Sequence, residues 1–358
     1  MKIGIITIFD IVGNYGNKLQ NYAVIYILRK QNYQVDTMVV EKQRLYILLK
    51  CACLLNRVSG YRLSKGQLGW LKSLNTRKFD KKNLNPVYGL LNGKNISNDY
   101  DYFVLGSDQV WNPTWYNELK KEAFLLTFAK PEQKVCVAPS FGISELPEEW
   151  KPWFKKHLST FSKISVREED GAKIVKELTG KEAVVLIDPT LMLDAVEWRE
   201  ISEKPKRVDF SKPYILTYFL GGQSDKAKAD IQKYCKQYGF VEYNLQELNG
   251  HYPYASTPGE FIYMVEHAAL VMTDSFHACV FSFLFQRPFL VYQRVGANMM
   301  SRIDTLLNKF DLERKYVDGG IENDLFECDY NKGFKQLKVE REKFKEFLEE
   351  VIKITNKK

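Results

Sequence analysis

Long apolar runs are missing from this 358-residue chain. No stretch approaches the roughly 18 apolar residues that a membrane-spanning helix needs, so that class is excluded. Cysteine is sparse: the six at positions 51, 53, 136, 235, 279 and 328 form no CxxC pair, and Cys51-x-Cys53 has no His or Cys partner nearby. This excludes a zinc framework, and thiols scattered through apolar segments fit a reduced, cytoplasmic setting. Histidine occurs four times and tryptophan six, whereas Tyr reaches 21 and Phe 22. Such an aromatic surplus suits sugar or other planar ligands and equally a merely Tyr-rich composition, so alone it assigns nothing. The opening "MKIGIITIFD" holds one lysine and a short apolar run before Asp10. That run is too brief for a signal-peptide core and is expected to be a first β-strand.

What is present is a globular composition, 45% apolar and 27% charged. The length favours two domains, although one large α/β domain stays open. Fifty-two basic against 44 acidic residues give a net charge of +8, and its location says more than its size. Between Glu41 and Lys82 eleven Lys and Arg stand against Glu41 and Asp80 alone, so the segment 41–82 carries the excess. Within it, "RLYILLKCACLLNRV" (44–58) is apolar with cations spaced through it. Two readings stay open: an amphipathic element on a membrane surface or anionic lipid, and a core helix followed by a solvated basic linker. No recognition motif accompanies the charge, so nucleic acid is not an expected partner.

Apolar strands alternate with helical patterns in the α/β manner. "KIGIITI" (2–8) reads as a buried strand, and 13–33 as a glycine-bearing loop and helix with Leu19, Tyr22, Ala23, Tyr26 and Ile27 on one face. "QVDTMVV" (34–40) is the next strand, followed by strands within 102–112, 134–142 and 163–178 and the run 183–193. The charged stretch 194–213, with two prolines, is the expected interdomain connection. A second alternation follows: strands at 214–222, 270–274 and 288–293, and helices at 225–239, 257–268 and 275–286. The expected division is therefore a Rossmann-like domain over 1–193, the connection 194–213, a second Rossmann-like domain over 214–334, and a terminal amphipathic helix over 335–358.

In parallel sheets, ligands sit outside the carboxyl ends of the strands. Polar turns fall at five such ends: 14–20, 106–109, 140–142, 167–168 and 273–277. The last, in "LVMTDSFHACVF", places His277 in the first turn of a helix, where the dipole favours an anion and a histidine can exchange a proton with it. A satisfied core histidine is the competing reading. Asp99-x-Asp101 invites a metal-binding reading, but it precedes its strand and so lies on the wrong edge; no metal is expected.

Taken in order, "NYGNKLQNYAVIYILRK", "FVLGSDQVWNP", "APSFG", "SVREEDG", "LIDPTLML", "TPGEFIYMVEHAALVMTDSFHACVFSFLFQRPF" and "SRIDTLLNKFDL" resemble the polysaccharide pyruvyl transferase family. The resemblance runs from about residue 13 to about 313, and "GSDQVWN" and "TDSFH" in that order are its most specific parts. It implies an α/β, GT-B-like fold, two Rossmann-like domains whose parallel sheets face across a cleft, with a C-terminal helix. It implies transfer of the pyruvyl group of phosphoenolpyruvate (PEP), a co-substrate rather than a cofactor, onto two hydroxyls of a sugar as a cyclic ketal, with release of phosphate.

His277 then matches the family's acid/base, and Arg167 the arginine expected to hold the anionic donor; the competing reading of Arg167 is a surface salt bridge with Glu168 or Asp170. Ser275, Phe276, Arg294 and Arg302 are further donor-side candidates. Asn14, Asn17, Gln20, Ser107, Asp108 and Gln109 are expected on the acceptor side. Some pyruvyl transferases carry an arginine two places before the histidine; this chain has Ser275, whose hydroxyl suits phosphate at a helix start. The acceptor expected is a surface glycan or its lipid-linked precursor, met in the cytoplasm or on the inner face of the plasma membrane through 41–82. A GT-B glycosyltransferase using a nucleotide sugar, and a non-catalytic glycan- or lipid-binding member, are the alternatives.

Overall fold

A computed structural model of the protein describes residues 1–9, 14–40, 65–89, 96–206, 208–247, 255, 257–296, 301–317 and 325–354. The chain divides into two compact units, the first drawn from 1–48, 80–192 and 339–358 and the second from 49–79 and 193–338.

In the first unit, β1 (Lys2–Ile6), β2 (Gln34–Val39), β3 (Pro86–Tyr88), β4 (Tyr102–Leu105) and β5 (Lys134–Cys136) form a sheet in the order β3-β2-β1-β4-β5. Every pairing is parallel. The central strands are apolar on both faces, as burial between helix layers demands; Ile3, Ile5, Ile6, Phe103, Val104 and Leu105 are wholly buried. β6 (Ile164–Val166) and β7 (Ala183–Val185) make a separate parallel pair. Ser165 stitches this pair to the end of β5, its hydroxyl accepting from Ala138 N (3.0 Å) and donating to the Cys136 carbonyl (2.7 Å).

Helix α1 (Tyr15–Lys30) starts where Asn14 caps it, the Asn14 Oδ1 accepting from Gly16 N at 3.0 Å. Such a cap is worth about 1 kcal/mol. One turn on, Lys18 is buried over the Phe9 ring and paired with Asp80 at 3.0 Å. Asp80 belongs to α2 (Lys65–Asn83), so the end of the basic segment is a helix and not the solvated linker of one sequence reading. Residues 41–64, including the apolar stretch 44–58, lie outside the described residues. The unit is completed by α3 (Glu118–Ala123), α4 (Lys151–Leu158) and α5 (Glu169–Thr179).

The stretch 194–213 opens with α6 (Ala195–Arg199), capped by a reciprocal Asp194–Glu197 box. Trp198 is fully buried against Phe281 at 4.9 Å, and Glu203 N donates to the Gly259 carbonyl (3.1 Å). These residues therefore pack as part of the second unit, where an interdomain connection was expected; Trp198 and Ile201 are buried, while Asp194, Arg199, Glu200, Glu203 and Lys204 are exposed. The sheet of this unit is β8 (Tyr214–Tyr218), β9 (Val241–Asn244), β10 (Leu270–Thr273) and β11 (Phe289–Val291), parallel in the order β11-β10-β8-β9. Its helices are α7 (Asp225–Tyr238), α8 (Pro258–Glu266), α9 (Phe276–Leu284) and α10 (Ser301–Lys309).

The terminal helix α11 (Asn331–Ile354) starts on the second unit, with Phe334 stacked on Phe283 at 4.7 Å. It ends on the first, where the Ile352 carbonyl accepts from the Tyr102 hydroxyl (2.9 Å) and the Leu191 carbonyl from Arg341 Nε (2.7 Å). The α/β architecture with parallel sheets and a C-terminal helix is thus present as expected.

Ahead of α11, Glu327 is gripped by Arg314 (2.7 Å) and Lys315 (3.2 Å). The Arg314 hydrogen bond leads the causes that lower its carboxyl from 4.5 to about 2. A lowered folded-state value stabilises the fold above the unfolded value, and the gain is lost as pH falls. Thermal unfolding of Glu327→Gln should therefore trail wild type at pH 7 and converge with it as pH drops from about 4.5 towards 2.

Candidate functional site

Both sheets reverse their strand order at one place, between β1 and β4 in the first unit and between β8 and β10 in the second. At such switch points the loops diverge and leave a crevice outside the carboxyl ends.

In the first unit the crevice is built from three segments. Thr7, just past β1, donates from its hydroxyl to the Ser107 carbonyl (2.8 Å) and accepts from Gln20 Nε2 (2.9 Å). The same Gln20 amide donates to the Asn17 carbonyl (2.9 Å), so the first turns of α1 are tied to the end of β1. Asn17 Nδ2 donates to Asp108 Oδ2, and the other Asp108 oxygen accepts from Gln109 N (2.7 Å). Asp108 holds a φ of +103°, a conformation that costs an L-residue about 1–3 kcal/mol. Asn17, Gln20, Ser107, Asp108 and Gln109 are thereby brought together, and all are buried. Asn14 is the exception: exposed, with its side-chain oxygen engaged in capping α1.

Beside this group stands Arg167, directly after β6. It is 5% exposed and pairs with Asp188 at 2.5 Å, while Ser107 Oγ lies 3.4 Å from both partners. Asp188 is fixed in turn, its second oxygen accepting from Thr190 N (2.9 Å) and Thr190 Oγ1 (2.7 Å). Burial works against the guanidinium charge, yet the carboxylates of Asp188, Glu168 and Asp108 outweigh it and raise the Arg167 pKa. The alternative of a surface salt bridge with Glu168 or Asp170 is overturned. Glu168 is turned inward, one oxygen accepting from Phe141 N (2.7 Å) and Gly142 N (3.3 Å), and Asp170 pairs with Lys173 on the surface. The other Glu168 oxygen is buried without a hydrogen-bond partner among the described residues.

In the second unit the crevice centres on Asp274, wholly buried after β10. Its carboxylate accepts from Leu220 N (2.6 Å) and Gly221 N (2.9 Å) in the loop after β8 and meets Arg294 Nε at 3.4 Å. Arg294 also donates to the Asp274 carbonyl (2.9 Å), so this donor-side candidate is anchored at the strand end. Gly221 is required here, since a Cβ would fall 2.6 Å from Arg294 Cγ and from the Val295 carbonyl. Thr273 donates its hydroxyl to the Tyr218 carbonyl (2.5 Å) and accepts from Ser275 N (2.9 Å). Ser275 then sits at the N-cap of α9 without a side-chain bond to the first turn. His277, half-buried in that turn, packs edge-on to the buried Phe276 at 5.1 Å. Arg302 lies half-buried in the first turn of α10, one helix further along.

Asp101 Oδ2 accepts from Lys2 N (2.6 Å) on the opposite edge of the sheet. Among the described residues no three His, Cys, Asp or Glu gather as a metal would require, and no helix is long and apolar enough to cross a membrane. His267 bonds and stacks on Tyr263 in its own helix, and His157 packs on Trp153. Sequence reasoning missed Thr7, Asp188, Glu168 and Asp274 as organisers. The rule that found the other turns, a polar residue just after a dry strand, also picks out Asp188 after β7.

Residues 14–294 match the sequence profile of polysaccharide pyruvyl transferases, a span that begins after Thr7 and holds Asn17, Asp108, Arg167, Asp274 and His277. The chain belongs to the polysaccharide pyruvyl transferase family. Arg167 and His277 both lie within the matched span. No protein of curated function matches the chain in sequence. Among solved structures it is similar to the UDP-GlcNAc 2-epimerase of Neisseria meningitidis, at 14% identity and a TM-score of 0.43 over 95% of this chain and 100% of that one. It is also similar to the UDP-GlcNAc 2-epimerase of Methanocaldococcus jannaschii, at 12% and 0.45 over 94% and 92%. An alpha-glucosyltransferase in complex with UDP gives 12% and 0.48 over the whole of both chains.

Proposed function

We propose that this member of the family transfers the pyruvyl group of PEP onto two hydroxyls of a sugar in a surface polysaccharide or its lipid-linked precursor. The family match across 14–294, with His277 in the first turn of α9, is the observation that carries the reading. The chemistry asks for a proton at the PEP methylene carbon while a sugar oxygen bonds to the adjacent carbon and gives up its own proton. The second sugar oxygen then bonds to that same carbon as the C–O bond to phosphate breaks. The sum is PEP plus a diol giving a cyclic ketal plus phosphate, one hydroxyl proton ending on the new methyl group and the other on phosphate.

His277 is assigned the proton transfer, a role suited to imidazole. Ser275 and the positive end of the α9 dipole are assigned to the donor's anionic groups. Arg294, fixed by Asp274, and Arg167, fixed by Asp188, are the cations assigned to the donor. Asn17, Gln20, Ser107, Asp108 and Gln109 are assigned to the acceptor hydroxyls. No metal or cofactor is part of the proposal.

The purified protein should be stabilised against heat by PEP and not by UDP, and should release phosphate from PEP only when a suitable glycan is added. Stabilisation by UDP with no response to PEP would replace this reading by nucleotide-sugar transfer. Neither response, across galactose- and mannose-type acceptors, would favour a non-catalytic glycan-binding role.

A further inference from the structure

Trp115 differs from the other described tryptophans. Trp111 and Trp198 are fully buried and Trp150 and Trp153 half-buried, whereas Trp115 is 49% exposed. It is nevertheless held in place. Asn112 caps the short turn at Pro113–Trp115, its Oδ1 accepting from Thr114 N (3.0 Å), and Trp115 N donates to the Asn112 carbonyl (3.2 Å). The indole N–H donates to Gln109 Oε1 at 3.3 Å. An exposed indole whose polar atom is already satisfied offers a fixed apolar face at small entropic cost.

Gln109 supplies the second observation. It is 6% exposed, and with its oxygen turned to Trp115 the orientation of its amide is set. Its Nε2 is buried with no hydrogen-bond partner among the described residues. Buried donors are normally paired, so one left open beside a strand-end crevice points to a ligand acceptor. Gly142 makes room for that amide: its φ is +65°, and a Cβ there would fall 2.4 Å from Gln109 Nε2.

We propose that Trp115 and Gln109 form a sugar-binding subsite of the first unit, in which the indole stacks on the C–H face of a pyranose and the amide donates to one of its hydroxyls. A pyranose presents those two surfaces side by side, and the pair answers both. The proposal rests on the reading of this protein as a pyruvyl transferase with its acceptor on the first unit, and it adds what grips the acceptor ring.

The test uses the full chain with Trp115→Ala, Trp115→Phe and Gln109→Ala, and lactose and mannobiose as probes. In the phosphate-release assay Trp115→Ala should raise the acceptor KM about tenfold and leave the KM for PEP within about twofold, with Trp115→Phe close to wild type. Gln109→Ala should raise the acceptor KM in the same selective way. Saturation-transfer NMR with the two disaccharides reads the subsite without turnover: signals on wild type should vanish in Trp115→Ala while its Tm is kept. An unchanged acceptor KM in Trp115→Ala, or equal rises for acceptor and PEP, would overturn the proposal while leaving the transferase reading intact. Should wild type turn over no PEP at all, the transferase reading falls. The NMR arm then decides the subsite alone, and absence of any Trp115-dependent sugar signal overturns it.

Discussion

Replacing His277 by alanine is expected to lower ketal formation by about 10² to 10⁴-fold, the range that a positioned acid/base supplies. The side chain is half-buried on a nine-residue helix whose start is fixed by Thr273 and Asp274, so its loss should leave the fold near wild-type Tm. His277→Gln keeps much of the shape and a hydrogen-bonding end but cannot relay a proton at neutral pH, and it should fail equally. PEP should still raise the Tm of both variants, because Ser275, the helix end and Arg294 are untouched. A His277→Ala enzyme with full turnover would remove the assigned role.

The second large effect is expected at the Arg167–Asp188 pair. With 3% and 0% side-chain exposure the two charges are out of water, and removing one partner strands the other at a cost of about 3–5 kcal/mol. Asp188→Ala should therefore shift urea unfolding strongly, although Asp188 touches no substrate in the proposed reaction. The double change Arg167→Met with Asp188→Leu separates stability from chemistry: two apolar residues of similar bulk should recover most of the stability and none of the turnover. Recovery of activity along with stability would mean that Arg167 only holds the fold. Loss of stability in the double variant as deep as in Asp188→Ala would mean that the buried charge pair is not the source of the effect.

How far the sequence reveals this arrangement depends on the range of each interaction. Strands such as Lys2–Ile6 and Leu270–Thr273 are visible because they are short and apolar, and the second is followed at once by a polar turn. The same pattern exposes His277, Arg167 and the Ser107–Asp108–Gln109 corner. Helix Lys65–Asn83 is hidden because polar residues lie on its buried side: Ser73, Asn75, Thr76, Asp80 and Asn83 are all buried. A hydrophobic period has little to register there. Strands Pro86–Tyr88 and Val241–Asn244 are short and only half-buried, too brief for an alternation to show. Asp188 and Arg167 lie 21 positions apart and Lys18 and Asp80 62 apart, pairings that only the folded sheet specifies. Asp274 was in view as part of "TDSFH", but its task of holding the Leu220 and Gly221 amides depends on β8 lying beside β10.

The most direct measurement of the central claim is product analysis of the reaction with carbon-labelled PEP in heavy water. The account predicts that the labelled carbons arrive on the glycan as a ketal, with one deuterium in its methyl group and one phosphate released per transfer. Labelled free pyruvate with an unmodified glycan, or a glycan modified only when a nucleotide sugar is supplied, would contradict it.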